Sequence, residues 1–240
     1  MSGHPSDTVR RPEGTALAVI EDWLGPLNGR SLLDIGCGHG ALARALTARG
    51  ACVHGIDPGP EAIAAARAAV PEATFTEAGA EALPFADGSF DAVVFLNSLH
   101  HVPTQLMAAA LGEALRVSRG PVLVVEPLAE GSYFEVLRPV EDETAIRGLA
   151  QDALLDCIAR GVAQAVRRLD YDDVRRVAGV DSFLARAVAV DPARAAAAER
   201  HRGAVEALLA RWGVAEAAGI RLEQPHRALL LARCQETAGR

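Results

Sequence analysis

The sequence contains no lysine, so its 24 strongly basic side chains are all arginines. They are outnumbered by 31 aspartates and glutamates, which gives a formal net charge of -7 at pH 7. A chain that binds nucleic acid normally shows a broad basic excess or a basic stripe. We therefore expect no nucleic-acid partner.

Cysteine is also scarce, and the four residues form neither a C-x-x-C pair nor a cluster with histidine. This scatter gives no support for a structural zinc site, so we predict no bound metal and a reduced, cytoplasmic chain. The polar first 14 residues lack the apolar core of a secretion signal. No uncharged run is long enough to span a bilayer, and we expect no membrane association.

Aromatic residues make up only 4% of the chain, although 50% of it is hydrophobic. The core must therefore be built mainly from alanine, leucine and valine. A length of 240 residues suits one α/β domain with an inserted or appended subdomain. The sequence leaves open whether the protein is a monomer or a homodimer.

Strand and helix patterns alternate regularly up to Pro127. Short apolar runs predict strands, and longer runs with apolar residues at helical spacing predict helices. The predicted strands are 31–35, 52–57, 73–78, 90–97 and 121–127, and the predicted helices are 14–25, 41–50, 59–70 and 104–118. This alternation predicts a parallel sheet with helices on both faces, with its ligand beyond the carboxyl ends of the strands.

The pattern changes after Pro127. Residues 130–190 predict several helices and no strand, a helix of the main domain resumes at 192–212, and the chain ends with GIRLEQPH and RALLLARCQ. The last two segments predict an antiparallel hairpin that turns at Pro225 and His226. The expected fold is a doubly wound, mostly parallel seven-stranded sheet with that hairpin and a helical lid. Its parts are 1–27 (tail and helix), 28–128 (ligand-binding half), 129–190 (lid) and 191–240 (last helix and hairpin).

In the stretch SLLDIGCGHG, three glycines directly follow the predicted strand 31–35 and precede a helix. Glycines in such a loop let the backbone approach a ligand, and the next helix offers free N–H groups. The G-x-G-x-G spacing differs from the G-x-G-x-x-G fingerprint of dinucleotide sites. Asp34, two residues before the first glycine, suits an ammonium group better than a pyrophosphate. A plain glycine-rich turn is the alternative.

Asp57 ends the second predicted strand. An acid at this position can accept hydrogen bonds from both hydroxyls of a ribose. It can also cap the helix predicted at 59–70. Together with the glycine loop, the ribose role is favoured.

The segments LLDIGCGHG, VHGID, AEALPFADGSFD with NSLHHV, and PVLVVEP occur in this order. In this respect the chain resembles the class I S-adenosylmethionine-dependent methyltransferases, in particular a group of small-molecule enzymes that includes quinone-ring methyltransferases. The resemblance covers residues 28–128 and the final 219–234, and it implies a Rossmann-like methyltransferase fold. It does not specify the methyl acceptor.

The resemblance implies a set of contacts to S-adenosylmethionine. Asp34 would hold the methionine ammonium, Asp57 the ribose hydroxyls, and the backbone near Asn97 the methionine portion. The N–H of Ala80 would face adenine, and the glycine loop would line the methionine and ribose through Gly36, Gly38 and Gly40.

One position departs from the family pattern. Many relatives have an acid just before the position of Ala80, where it binds the adenine amino group, but this chain has Gly79. Glu77 or Glu81 could compensate, or backbone contacts alone could hold the adenine.

His100 and His101 are the candidate general bases, because a histidine near its normal pKa can take a proton from a phenol or an enol-like carbon. The alternative is that they cap the helix near Pro103 and pack beneath the cofactor. In the lid, Tyr133 and Phe134 are the candidate substrate contacts. The acidic run 141–143 is interpreted as a solvated helix start.

The sequence therefore predicts methyl transfer from S-adenosylmethionine, which becomes S-adenosylhomocysteine, to O, N or C of a small metabolite. One alternative is a relative that binds the cofactor without transferring methyl, as a cyclase, an eliminase or a regulatory protein. A nicotinamide-dependent oxidoreductase is disfavoured because the third glycine comes one residue too early.

Overall fold

A computed structural model describes residues 11–234, in which eight strands form one sheet. The hydrogen-bonded order is β3-β2-β1-β4-β5-β8-β6, and β7 pairs with β8 beside this path. The strands are β1 Ser31–Ile35, β2 Cys52–Asp57, β3 Thr74–Glu77, β4 Ala92–Leu96, β5 Val122–Pro127, β6 Ala163–Val177, β7 Val214–Glu216 and β8 Gly219–Arg233.

Eight α-helices lie in the same part of the chain. They are α1 Ala16–Leu24, α2 Ala41–Thr47, α3 Pro60–Ala69, α4 Met107–Val117, α5 Ser132–Leu137, α6 Thr144–Ala159, α7 Val180–Val190 and α8 Ala195–Trp212. None of the helices in residues 11–234 has both the length and the apolar composition needed to cross a bilayer.

The first five strands are parallel and confirm the predicted Rossmann-like sheet. β5 is buried along its whole length, as expected for a strand covered by helices on both faces. One apolar cluster packs α4 and α6 against the sheet, and a second packs α1, α2 and α3 on another part of it. The carboxyl ends of β1, β2 and β4 therefore meet at one edge of the sheet.

The prediction that residues 130–190 form a purely helical lid is wrong. Residues 163–177 form β6, a 15-residue strand at the end of the sheet. Its sequence, AQAVRRLDYDDVRRV, does not alternate apolar and polar residues, because much of this edge strand is exposed. Charged side chains on an edge strand also hinder pairing with other chains. α6 is likewise not part of a lid, since it packs in the first core cluster.

The predicted turn at Pro225 and His226 is wrong as well. β8 runs unbroken through both residues and pairs antiparallel with β5 and β6. Proline has no N–H to donate to a neighbouring strand. It fits here because the pairing of β8 with β5 ends at His226, and Pro225 lies one residue beyond the last pair. Its partner on β6, Asp172, exchanges backbone hydrogen bonds with Pro12 and Gly14 instead. The antiparallel hairpin at the end of the chain exists, but it joins β7 to β8.

Helices α5, α7 and α8 form a cap over one end of β6 and β8. Their apolar side chains make a third cluster with Val177 and Leu222. At its centre Phe183 is fully buried and lies 5.2 Å from the ring of Tyr133. α8 therefore belongs to the cap, and its prediction as a main-domain helix is corrected.

We expect Phe183→Ala to lower the free energy of unfolding by about 3–5 kcal/mol, because it leaves a cavity at the centre of the cap. Val190 lies on the same helix but is 64% exposed, so Val190→Ala is the control and should change stability by less than about 0.5 kcal/mol. Urea unfolding of both variants measures the difference. Equal effects would contradict the assignment of Phe183 to a cap core.

Candidate functional site

The glycine loop leaves β1 at the sheet edge and enters α2. Gly36, Gly38 and Gly40 have φ values of 73°, 49° and 81°, a conformation that favours glycine. Gly36 has an additional reason, since a Cβ there would lie 2.5 Å from Cβ of Ser98. At Gly38, in contrast, a Cβ would meet no atom within 4 Å. The loop therefore packs against the turn after β4 at Gly36, and it leaves open space beside Gly38.

Asp57 ties this loop to the end of β2. One carboxylate oxygen accepts a hydrogen bond from Gly38 N at 3.1 Å, and the other accepts one from Gly59 N at 2.8 Å. Gly59 is the N-cap of α3 and no side chain caps this helix, so the interpretation of Asp57 as its cap is wrong, and Asp57 binds the N–H of the N-cap residue instead. Each carboxylate oxygen has a further lone pair for a ligand hydroxyl.

Asp34 is the most unusual group of the site. It is 2% exposed, and its Oδ2 has no hydrogen-bond partner within the described part of the chain. Burial, with a further contribution from the charge of Asp57, raises the pKa of Asp34 to about 7. A buried acid without a partner fits a cationic ligand, because an ammonium group would supply the missing donor.

Asn97 follows β4 and is the non-glycine residue with a positive φ, 54°, in residues 11–234. Its side chain lies 3.1 Å from Nε2 of His226, whose Nδ1 bonds the carbonyl of Gln224. Burial, aided by Arg175, lowers the pKa of His226 to about 4, so this ring is neutral. The ring of Tyr171 stacks on it at 5.5 Å. This buried set was missed because β8 was predicted to turn here.

Glu126, near the end of β5, holds the turn that follows Asn97. Oε1 accepts hydrogen bonds from Ser98 N at 2.9 Å and Leu99 N at 2.8 Å, and Oε2 bonds Nδ1 of His100. His100 is buried, whereas its neighbour His101 is exposed. The two candidate bases thus occupy different environments, and their catalytic role stays a prediction.

Gly79 and Glu81 lie close together. A Cβ on Gly79 would lie 2.5 Å from one carboxylate oxygen of Glu81, so this carboxylate occupies the space beside residue 79. Ala80 between them is buried. An acid is therefore present beside the Gly79 backbone although the sequence has none at that position.

The aromatic residues predicted to contact substrate are buried within the cap region. Tyr133 packs on Phe183 and under the guanidinium of Arg175, while Arg147 lies 4.9 Å above the ring of Phe134. Contact of Tyr133 and Phe134 with a substrate stays a prediction.

The acidic run 141–143 differs from its interpretation as a solvated helix start. Glu143 is 4% exposed and forms an ion pair with Arg147. This burial could not be predicted from sequence, because Arg147, which pairs with Glu143 one helical turn later, has no feature that distinguishes it from a surface arginine.

Comparison with known proteins agrees with this geometry. Residues 32–120 match a family model described as a methyltransferase domain. The ubiquinone biosynthesis O-methyltransferase of Paracidovorax citrulli is 41% identical over 88 residues, which cover 34% of this chain and 37% of that protein. The chain spans about two fifths of the length of several curated relatives it matches, all named as methyltransferases.

Solved structures of similar fold cover nearly the whole chain. A methyltransferase of Bacillus halodurans superposes with a TM-score of 0.63 at 20% identity, covering 93% of this chain and all of that one. The [4+2]-cyclase SpnF superposes with a TM-score of 0.60 at 20% identity, covering 90% of this chain and 80% of that one. At such identity the likeness shows the fold alone.

The fold is Rossmann-like, and it places Asp34, Asp57 and Asn97 at the carboxyl ends of β1, β2 and β4. Residues 32–120 match a methyltransferase domain. This match, the names of the relatives and the fold together support the resemblance to class I S-adenosylmethionine-dependent methyltransferases that the sequence motifs predicted.

The raised pKa of Asp34 predicts a pH-dependent stability. Between its ordinary pKa of 3.8 and about 7, the folded chain keeps a proton that the unfolded chain has lost. The contribution of Asp34 is therefore fully present near pH 4 and is lost as the pH rises through 7, by about 4 kcal/mol at most.

Unfolding in urea at several pH values measures this slope. Asp34→Asn should flatten the slope between pH 4 and 7, while the matched change Asp152→Asn at an exposed site on α6 should leave it as in the parent chain. An unchanged slope in Asp34→Asn would contradict the burial of a protonated acid.

Proposed function

We propose that this protein transfers the methyl group of S-adenosylmethionine to an O, N or C atom of a small organic metabolite. The observation that carries the proposal is Asp34, a buried acid near the end of β1 whose Oδ2 has no hydrogen-bond partner among residues 11–234. A ligand that brings an ammonium group would satisfy it.

The residues around Asp34 fit the rest of such a ligand. Asp57 has lone pairs for the ribose hydroxyls, and the open space at Gly38 admits a ligand against the backbone. Main-chain polar groups at Asn97, where φ is positive, would bind the methionine portion of the ligand. Residues Gly36 and Gly40 keep the loop in the form that permits this approach.

We assign the adenine amino group to Glu81. The carboxylate of Glu81 lies beside the Gly79 backbone, which is where an acid at position 79 would reach. The N–H of Ala80 supplies the second adenine contact. This arrangement is one way in which the chain compensates for its departure from the family pattern.

When bound, the sulfonium of the cofactor supplies an activated methyl group for in-line displacement. The protein's part is to align the acceptor and to exclude water. Of the two candidate bases, only His101 has an exposed side chain, because His100 is held by Glu126. His101 is therefore the residue of the pair that is open to an acceptor.

Cofactor binding should release a proton. An ammonium ion beside Asp34 favours the ionised acid, so at pH 6 binding should expel up to about one proton from a group whose pKa is about 7 in the free protein. Calorimetry with S-adenosylhomocysteine in buffers of different ionisation enthalpy measures this number.

Asp34→Asn should abolish the proton release and weaken binding, and Asp152→Asn should do neither. Absence of any binding to the parent chain would refute the proposed function. Binding without proton release would refute only the role of Asp34.

The adenine assignment makes a separate prediction. Glu81→Ala should weaken S-adenosylhomocysteine binding about 10- to 100-fold, the range expected for a hydrogen bond to a charged group. Adding Gly79→Asp should restore part of the affinity by returning an acid to the family position. Exposed Glu61→Gln on α3 is the control, and normal affinity in Glu81→Ala would exclude the contact.

A second candidate is a protein that binds the cofactor without transferring methyl. The same fold occurs in the cyclase SpnF, so the fold itself does not distinguish the two. Incubating the protein with candidate phenols, amines and enols separates them, since only methyl transfer adds the mass of one CH₂ to the acceptor and leaves S-adenosylhomocysteine.

A further inference from the structure

A buried histidine and a buried glutamate face each other across the junction between the sheet and α6. His100 is 5% exposed and Glu143 is 4% exposed. Nε2 of His100 lies 3.9 Å from Oε1 of Glu143, which is too long for a hydrogen bond. Nε2 of His100 and Oε1 of Glu143 are therefore close to each other without a direct hydrogen bond.

The other polar atoms of both side chains are already bonded. Nδ1 of His100 bonds Glu126, and Oε2 of Glu143 accepts hydrogen bonds from Nε and Nη2 of Arg147 at 2.9 and 2.6 Å. Because Nδ1 contacts Glu126, Nε2 is the ring nitrogen of His100 that remains for a ligand on the Glu143 side. A carboxylate that orients a histidine through its second nitrogen is the usual support of a metal-ligating imidazole.

His101 supplies a third donor. Its ring centroid lies 4.1 Å from that of His100, and one donor atom from each of His100, His101 and Glu143 lies within 4.8 Å of the others. His101 is exposed while its two partners are buried. Such a site has three protein ligands and one side open, the arrangement of zinc sites that keep a free coordination position.

Charges around the three donors admit a cation. Arg194 pairs with Glu141, and Arg147 pairs with Glu143. With Glu126 the cluster holds three carboxylates against two guanidinium groups. Arg194 Nη2 stays 3.9 Å from Oε1 of Glu143, beyond hydrogen-bond distance.

We propose that His100, His101 and Glu143 bind one divalent transition cation that joins the turn after β4 to the start of α6. Two imidazoles and a carboxylate suit Zn²⁺ and the neighbouring ions of the series. The site has no local sequence signal, because Glu143 lies about forty residues after the adjacent His100 and His101 and none of the three is a cysteine. The proposal does not depend on methyl transfer, and with the ion bound the imidazole of His101 would not be free to act as a base.

The test is metal binding by the untagged full chain after removal of metals with a chelator. Co²⁺ is titrated while the visible absorption of the ion is recorded, and Zn²⁺ is then added in competition. We expect one equivalent of Co²⁺ with the intense absorption of a four-coordinate site, displaced by one equivalent of Zn²⁺.

Variants then locate the ion. Glu143→Gln and His101→Ala should each weaken binding at least about tenfold, and Glu126→Gln should do so through the orientation of His100. His54→Asn, at a histidine of β2 that bonds Thr76 of β3, should bind Co²⁺ as the parent chain does. Circular dichroism and S-adenosylhomocysteine affinity check that each variant is folded.

Equal Co²⁺ affinity in the parent chain, Glu143→Gln and His101→Ala would overturn the proposal. The absence of Co²⁺ binding to a folded parent chain would overturn it as well. Neither result would alter the proposed function, which rests on Asp34.

Discussion

The geometry of the site depends on the hydrogen bonds that the buried carboxylate of Glu126 makes. This carboxylate is 1% exposed and binds two backbone N–H groups of the turn after β4 as well as the ring of His100. Without it, those buried donors would lose their partner, at a cost of about 1–3 kcal/mol each. The same turn places Ser98 against Gly36, so the glycine loop and the β4 turn are held in one arrangement.

The glycine loop and the parallel half of the sheet could be predicted from sequence because their signals are local. Buried parallel strands are short apolar runs, and each helix between them has its own apolar spacing. Asp34 and Asp57 could be found for the same reason, since each lies at the carboxyl end of a strand. Their burial could not be found, because it depends on how neighbouring strands and loops pack over them.

The second half of the chain could not be predicted because its pairing is non-local. β6 is an exposed edge strand rich in arginine and aspartate, and its partner β8 lies about fifty residues later. Pro225 and His226 looked like a turn, yet Pro225 fits within β8 because Asp172 bonds another segment. The neutral His226 beside Asn97 follows from that continuous strand and has no signal of its own.

The residues proposed to bind the cofactor and those predicted to contact a substrate lie in different parts of the chain. The match to the methyltransferase domain covers residues 32–120, which include Asp34, Asp57 and Glu81 but none of the cap. Arg147 on α6 links the cap to the end of β5, since its guanidinium lies over the ring of Phe134 and donates hydrogen bonds to the carbonyl of Leu128 at 3.0 Å and to Gln224 at 3.2 Å. The guanidinium of Arg147 therefore holds the cap against the segment that follows β5.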